Sequence, residues 1–178
     1  LGYATTLHRL PSARGLDVLA VEDRRGPAPP ARVPARGVAI NGNDVVAARA
    51  LFGSCLYVLE EVLGRFGVEI TLVDGTDNAA WDAAIRPDTR LVFFESISNP
   101  TLEVVDMAHV VRAAHAVGAL VLADDAMATP VYSYAHACGA DIAIVSTTKH
   151  VDGQGRMLGG AILGSRELIR GPIETYMK

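Results

Sequence analysis

Ser146, Thr147, Thr148, Lys149 and His150 stand in a row directly after the apolar run Ile142 to Val145, and a glycine-rich turn, "DGQGRMLGG", follows them. Most lysines are surface groups. A lysine between an apolar strand and such a turn is placed to lose part of its hydration, which lowers an amine's pKa and gives it the chemistry of a nucleophile or an imine partner. Ser146 and Thr148 carry hydroxyls that donate to phosphate oxygens, or that simply cap a local turn. A second apolar run, Ala119 to Ala123, ends in Asp124. Its carboxylate fits a helix cap or a salt-bridge partner. It equally fits the anion that keeps a pyridinium nitrogen protonated, so that the ring can accept electrons. An Asp on one strand end and Ser-x-Thr-Lys on the next together point to pyridoxal phosphate. The same strand-end logic admits a phosphate or nucleotide site, but no Walker loop or dinucleotide glycine fingerprint accompanies these residues.

Such groups need elements to hold them. The pattern predicts strands over residues 44–49, 68–73, 90–95, 119–125, 141–146 and 159–164. It predicts helices over 54–66 with Ser54 as cap, over 78–85 before Pro87, over 104–118 before a glycine stop, and a short one opened by Pro130 and closed by Gly139. The strands are apolar throughout instead of alternating, and helices separate them. Both features argue for an α/β fold, a mainly parallel sheet covered on both faces in three αβα layers. Ligands of such sheets gather outside the carboxyl ends of the strands, which here carry Asp74, Glu95, Asp124 and Ser146. Residues 1–42 differ. The stretch "EDRRGPAPPARVPARG" is rich in Pro and Arg, lacks apolar periodicity, and is expected to be irregular, with only residues 14–22 suggesting a short strand.

Composition narrows the classes. Half of the 178 residues are apolar and 20% are charged, as in a packed globular protein. The net charge of −4 offers no nucleic-acid surface, and no stretch looks like a membrane span or signal peptide. Cys55 and Cys138 lie among apolar residues without metal-ligand spacing. They are expected to be buried free thiols of a reducing compartment, here the cytoplasm, with no metal bound. The chain begins with Leu and ends in "IETYMK", from which a piece of a larger protein is expected.

Four segments, "LFGS" (51–54), "ESISNP" (95–100), "LADDAMATP" (122–130) and "GADIAIVSTTKHVDGQGRMLGG" (139–160), resemble the Cys/Met-metabolism, or transsulfuration, family of pyridoxal phosphate enzymes. The resemblance runs from about Asp44 to the last residue. It implies the large domain of a fold-type I enzyme, incomplete, over 43–178. Lys149 would hold the cofactor covalently, Asp124 would pair with the pyridine nitrogen, and Ser146 and Thr148 would bind the phosphate. Asn99 would lie near the phenolic oxygen. Phe52 would stack on the ring, where the family usually has Tyr and a hydroxyl able to share in proton transfer. The family's "DNTFATP" stands here as "DDAMATP", which sets Asp125 beside the key aspartate.

The turn "DGQGRMLGG" is most similar to the O-succinylhomoserine sulfhydrylase branch. That implies methionine biosynthesis: a γ-replacement in which succinate leaves an amino-acid substrate and sulfide adds, giving homocysteine. A cystathionine γ-synthase or γ-lyase, or a truncated non-catalytic remnant, are the other readings. Full-length relatives resemble homotetramers. The family's Tyr-x-Arg phosphate grip, its Ser-Gly-Met phosphate nest and its small carboxyl-terminal domain find no counterpart in this sequence.

Overall fold

The computed structural model describes residues 2–10, 16–26, 44–133 and 135–177. They fall into two compact bodies, Ile40–Ala143 and Leu1–Ala39 together with Ile144–Lys178.

The discontinuous body begins with β1 (Gly2–Leu10) and β2 (Leu16–Gly26), an antiparallel pair in which Leu10 faces Val18 and Gly2 faces Gly26. β2 overlaps the short strand expected over residues 14–22, whereas β1 and the end of β2 occupy a stretch expected to be irregular. The charged run Glu22–Gly26 carries no apolar signal, but pairing satisfies its backbone groups, and that depends on partners remote in sequence. Residues 27–43, including most of the Pro/Arg-rich segment, lie outside the described residues.

The contiguous body is built from β3 (Asp44–Ala48), β4 (Glu69–Val73), β5 (Thr89–Glu95) and β6 (Leu120–Asp124). β3 pairs with β4 and β5, and β5 with β6, all parallel. Successive side chains of a strand point to opposite faces. Val45 and Val46 are both 0% exposed, so this sheet is covered on both faces, as the uninterrupted apolar strands predict.

One face receives the helix that starts as α1 (Gly53–Tyr57) and continues through a wide turn, Val58–Leu63, and a tight one, Gly64–Phe66. Its Leu59 packs with Val45, Ala47, Leu51, Val68 and Phe93. The other face carries α2 (Asn78–Ala84) and α3 (Met107–Ala116). There Trp81, fully buried, meets Phe94 edge-on at 6.3 Å between centroids, and Val110 and Ala114 are fully buried. α3 starts three residues later than its apolar pattern suggests. Val104 is held in an antiparallel bridge to Ile97, and Asp106 caps the helix by accepting the His109 N–H at 3.1 Å. After α4 (Thr129–Tyr132) the chain turns at Gly139, whose φ of +99° and 2.8 Å approach of a would-be Cβ to Val111 leave room for glycine alone.

β7 (Ile142–Ser146) contains the division between the bodies. In the discontinuous body it leads into a helical turn, Thr147–Val151, and then β8 (Gly159–Ser165), which pairs antiparallel with β2. The short helices α5 (Arg166–Leu168) and α6 (Glu174–Met177) flank a wide turn in which Ile169 is buried. Among the described residues no helix is long and apolar enough to cross a membrane.

Candidate active site

In the contiguous body the carboxyl ends of β5 and β6 place two carboxylates side by side. Glu95 and Asp124 are register partners across the parallel pair. Glu95 is 5% exposed, and its Oε1 accepts the Phe52 N–H at 2.6 Å while its Oε2 accepts the Asn99 N–H at 2.7 Å. One side chain thus ties together the segments bearing two residues that the sequence marks for the site. It also corrects the expected cap of α1. Phe52, not Ser54, is the N-cap residue, it makes no side-chain cap bond, and Glu95 takes its amide. The sequence points to Glu95 only by its position after a strand, with no role attached.

Asp124 is part-buried, and its Oδ1 accepts the Ala126 N–H at 2.8 Å. Burial pushes its carboxyl above the ordinary value, the amide bond opposes this, and Asp125 adds a like charge. Asp125 does not compete for the same partners. It is buried, accepts the Ser133 hydroxyl at 2.9 Å and faces the Ala135 N–H at 3.4 Å. Its backbone carbonyl accepts the N–H of Thr129, which sits at φ 63°, a left-handed conformation costing a β-branched residue on the order of 1–3 kcal/mol. The Asp125 carboxylate thus ties the end of the "DDAMATP" segment to Ser133 and Ala135 beyond it, a structural use for the carboxylate that stands in place of Asn.

Cys55 projects from α1 toward the same carboxylates. The thiol, Glu95 and Asp124 have ligand atoms within 4.8 Å of one another, a grouping invisible in the sequence spacing. Burial first, then Asp124 and Glu95, push the Cys55 thiol up to about 11, so it is a neutral S–H at neutral pH. Both thiols were expected to be buried, but Cys55 is half-buried and Cys138 exposed. Phe52 is 49% exposed, which leaves aromatic surface free to stack.

In the discontinuous body, Ser146 precedes the turn Thr147–Val151 without a side-chain capping bond. The Thr148 hydroxyl is committed locally: it accepts the Gly159 N–H at 2.8 Å and donates to the Gly159 carbonyl at 3.2 Å. To donate to a phosphate it must release that carbonyl, although one lone pair remains free to accept. The Thr147 hydroxyl is buried and has no partner among the described residues. Lys149 leaves helical geometry, with φ −88° and ψ −109°, and is exposed. Within this structure, burial does not supply the desolvation that its surroundings in sequence suggest.

Asp124 is a part-buried anion with no cation hydrogen-bonded to it among the described residues. The segment Ser146–Lys149 holds an orphaned buried hydroxyl and an amine.

The Cys/Met metabolism PLP-dependent enzyme family matches residues 32–177. The chain belongs to that family. Pyridoxal phosphate is the cofactor of Cys/Met metabolism PLP-dependent enzymes, and the relatives that this chain matches are enzymes. It is 50% identical over 137 residues to an O-succinylhomoserine sulfhydrylase of Mycobacterium tuberculosis, covering 77% of this chain and 34% of that one. Among solved structures it is similar to a cystathionine gamma-lyase from Lactobacillus plantarum complexed with L-serine, with a TM-score of 0.72 and 27% identity over 76% of this chain and 35% of that one. A Campylobacter jejuni protein assigned as an O-acetylhomoserine (thiol)-lyase, which carries N'-pyridoxyl-lysine-5'-monophosphate, matches with a TM-score of 0.67 and 29% identity over 72% of this chain and 32% of that one. The chain thus spans about a third of the length of the relatives it matches.

Proposed function

We propose that this chain is the cofactor-binding core of a cytoplasmic transferase of methionine biosynthesis, which replaces the γ-succinyl group of O-succinylhomoserine with sulfide to give homocysteine. The observation that carries the reading is Asp124, a part-buried carboxylate at the end of β6 with no cation bonded to it among the described residues. The similarity to a sulfhydrylase and the turn "DGQGRMLGG" support the choice of branch.

Bound pyridoxal phosphate supplies an electron-accepting ring conjugated to the substrate's α-carbon. Asp124 holds the proton on the ring nitrogen by its negative charge. Phe52 offers an aromatic face, and Asn99 an amide for the phenolic oxygen. Ser146 and Thr148 bind phosphate, with the Thr148 hydroxyl exchanging the Gly159 carbonyl for a phosphate oxygen. The Lys149 amine would hold the cofactor covalently and, when free, would carry protons at the substrate's reacting carbons. With Phe at 52, no phenol assists it.

Titrating pyridoxal phosphate into the purified chain should produce a visible absorbance band that Lys149→Ala abolishes. No band at saturating cofactor overturns the cofactor-binding reading for this chain. A second reading, a γ-lyase or a γ-synthase using cysteine, is favoured by the likeness to the Lactobacillus enzyme. Supplying O-succinylhomoserine with sulfide or with cysteine to the longer protein, and identifying the product, separates the two. A non-catalytic remnant would bind cofactor or partner without turnover.

A further inference from the structure

Glu95 ends β5 nearly buried and bridges two amides that lie 43 and 4 residues from it along the chain. Burial raises its carboxyl pKa and the Asp124 charge adds to that, while the Phe52 and Asn99 amides pull it back. Burying an anion beside another anion is unfavourable unless its oxygens are well used. Here each oxygen takes one short N–H, and only a carboxylate can do this. A glutamine has one accepting oxygen and would turn its own N–H toward the second amide. An aspartate carries the same carboxylate one methylene closer to the backbone, out of reach of the two amides.

We propose that Glu95 is a positioning residue: a two-amide clamp that fixes the Phe52 and Asn99 segments relative to each other, while its charge beside Asp124 favours a cationic ring at that end of the sheet. The inference rests on the assignment of Phe52, Asn99 and Asp124 to the cofactor made above. The clamp explains why "LFGS" and "ESISNP" serve one site: they are joined through the first residue of the second motif.

Two measurements on the full chain test it, using Glu95→Gln, Glu95→Asp and, as a control for destabilisation away from the clamp, Trp81→Phe. The first needs no cofactor. Amide hydrogen exchange should find Phe52 and Asn99 protected in the parent and exchanging about tenfold faster in Glu95→Gln and Glu95→Asp, but not in Trp81→Phe. Equal protection in the parent and the Glu95 variants overturns the clamp. The second is a pyridoxal phosphate titration followed by absorbance and visible circular dichroism. Glu95→Gln should bind about tenfold more weakly, with an altered dichroic band. Trp81→Phe should lower Tm without moving either. Parent-like affinity and spectrum in Glu95→Gln overturn the positioning role. Absence of a band in the parent instead overturns the cofactor assignment and the positioning role with it, and the exchange result alone then decides the clamp.

Discussion

The contiguous body, Ile40–Ala143, and the discontinuous one, Leu1–Ala39 with Ile144–Lys178, present their candidate residues differently. In the first, parallel strands are sealed on both faces, and Val45, Val46, Val92, Phe94, Trp81, Val110 and Val121 are fully buried. Asp124 and Glu95 emerge from that core already perturbed by burial. In the second, the described strands form an antiparallel ladder, Thr148 is bonded to Gly159, and Lys149 is exposed. A carboxylate's chemistry can thus be prepared within one compact β/α body. A lysine's position in a turn supplies the amine without its desolvation.

The contrast in core quality can be broken first. Trp81→Ala should destabilise the chain by about 3–5 kcal/mol in urea melts followed by far-UV circular dichroism, through lost packing on Phe94 and the lost indole bond to the Gly75 carbonyl. Ile169→Ala, in the discontinuous body, should cost less, roughly 2–3 kcal/mol. Equal losses would erase the distinction.

Both thiols belong to the contiguous body, and they test how tightly its carboxylate pair is enclosed. At pH 8 iodoacetamide should alkylate exposed Cys138 on the order of a hundredfold faster than Cys55, whose pKa is pushed up to about 11 by burial and two carboxylates. Comparable rates, read by mass spectrometry of the two peptides, would mean that Asp124 and Glu95 do not crowd Cys55. Thr148→Val should destabilise by roughly 1–2 kcal/mol, since Gly159 loses partners for both its N–H and its carbonyl. Ser146→Ala, with no capping bond to lose, should stay within about 0.5 kcal/mol.

The smallest effect has an instructive sign. Burial, with Asp125 adding, raises the Asp124 carboxyl above its ordinary 3.8, so the folded state holds its proton more tightly than the unfolded state. The cost of ionisation is absent below the ordinary value and grows as pH rises through the folded one. Asp124→Asn should therefore raise Tm by roughly 2–4 °C at pH 7 and leave it unchanged near pH 3, while weakening cofactor binding. Asp74 runs the other way. The Thr76 hydroxyl and amide hold its carboxyl down, so its contribution is present above the ordinary value and lost as pH falls.

The strands of the contiguous body are legible because each is a short apolar run punctuated by Gly, Pro or Asp, a local signal that parallel burial reinforces. The late start of α3 was not, because Val104 prefers a bridge to Ile97 that no helical periodicity reveals. The strand character of Glu22–Gly26 was hidden for the same reason: a β ladder satisfies its backbone groups through Gly2–Thr6 on β1, which no local pattern reveals.

By itself the sequence determined the residue types and their spacing, which is enough to nominate Asp124, Lys149, Ser146 and Thr148, since that chemistry is written locally, while Asn99 and Phe52 were implied only by the family resemblance of their motifs. Only the tertiary structure decided that Glu95 joins the Phe52 and Asn99 segments, that Cys55 meets two carboxylates, and that the Thr148 hydroxyl is already engaged. Hydrogen bonding and desolvation act over a few ångströms of space, and the chain brings residues that close only when it folds.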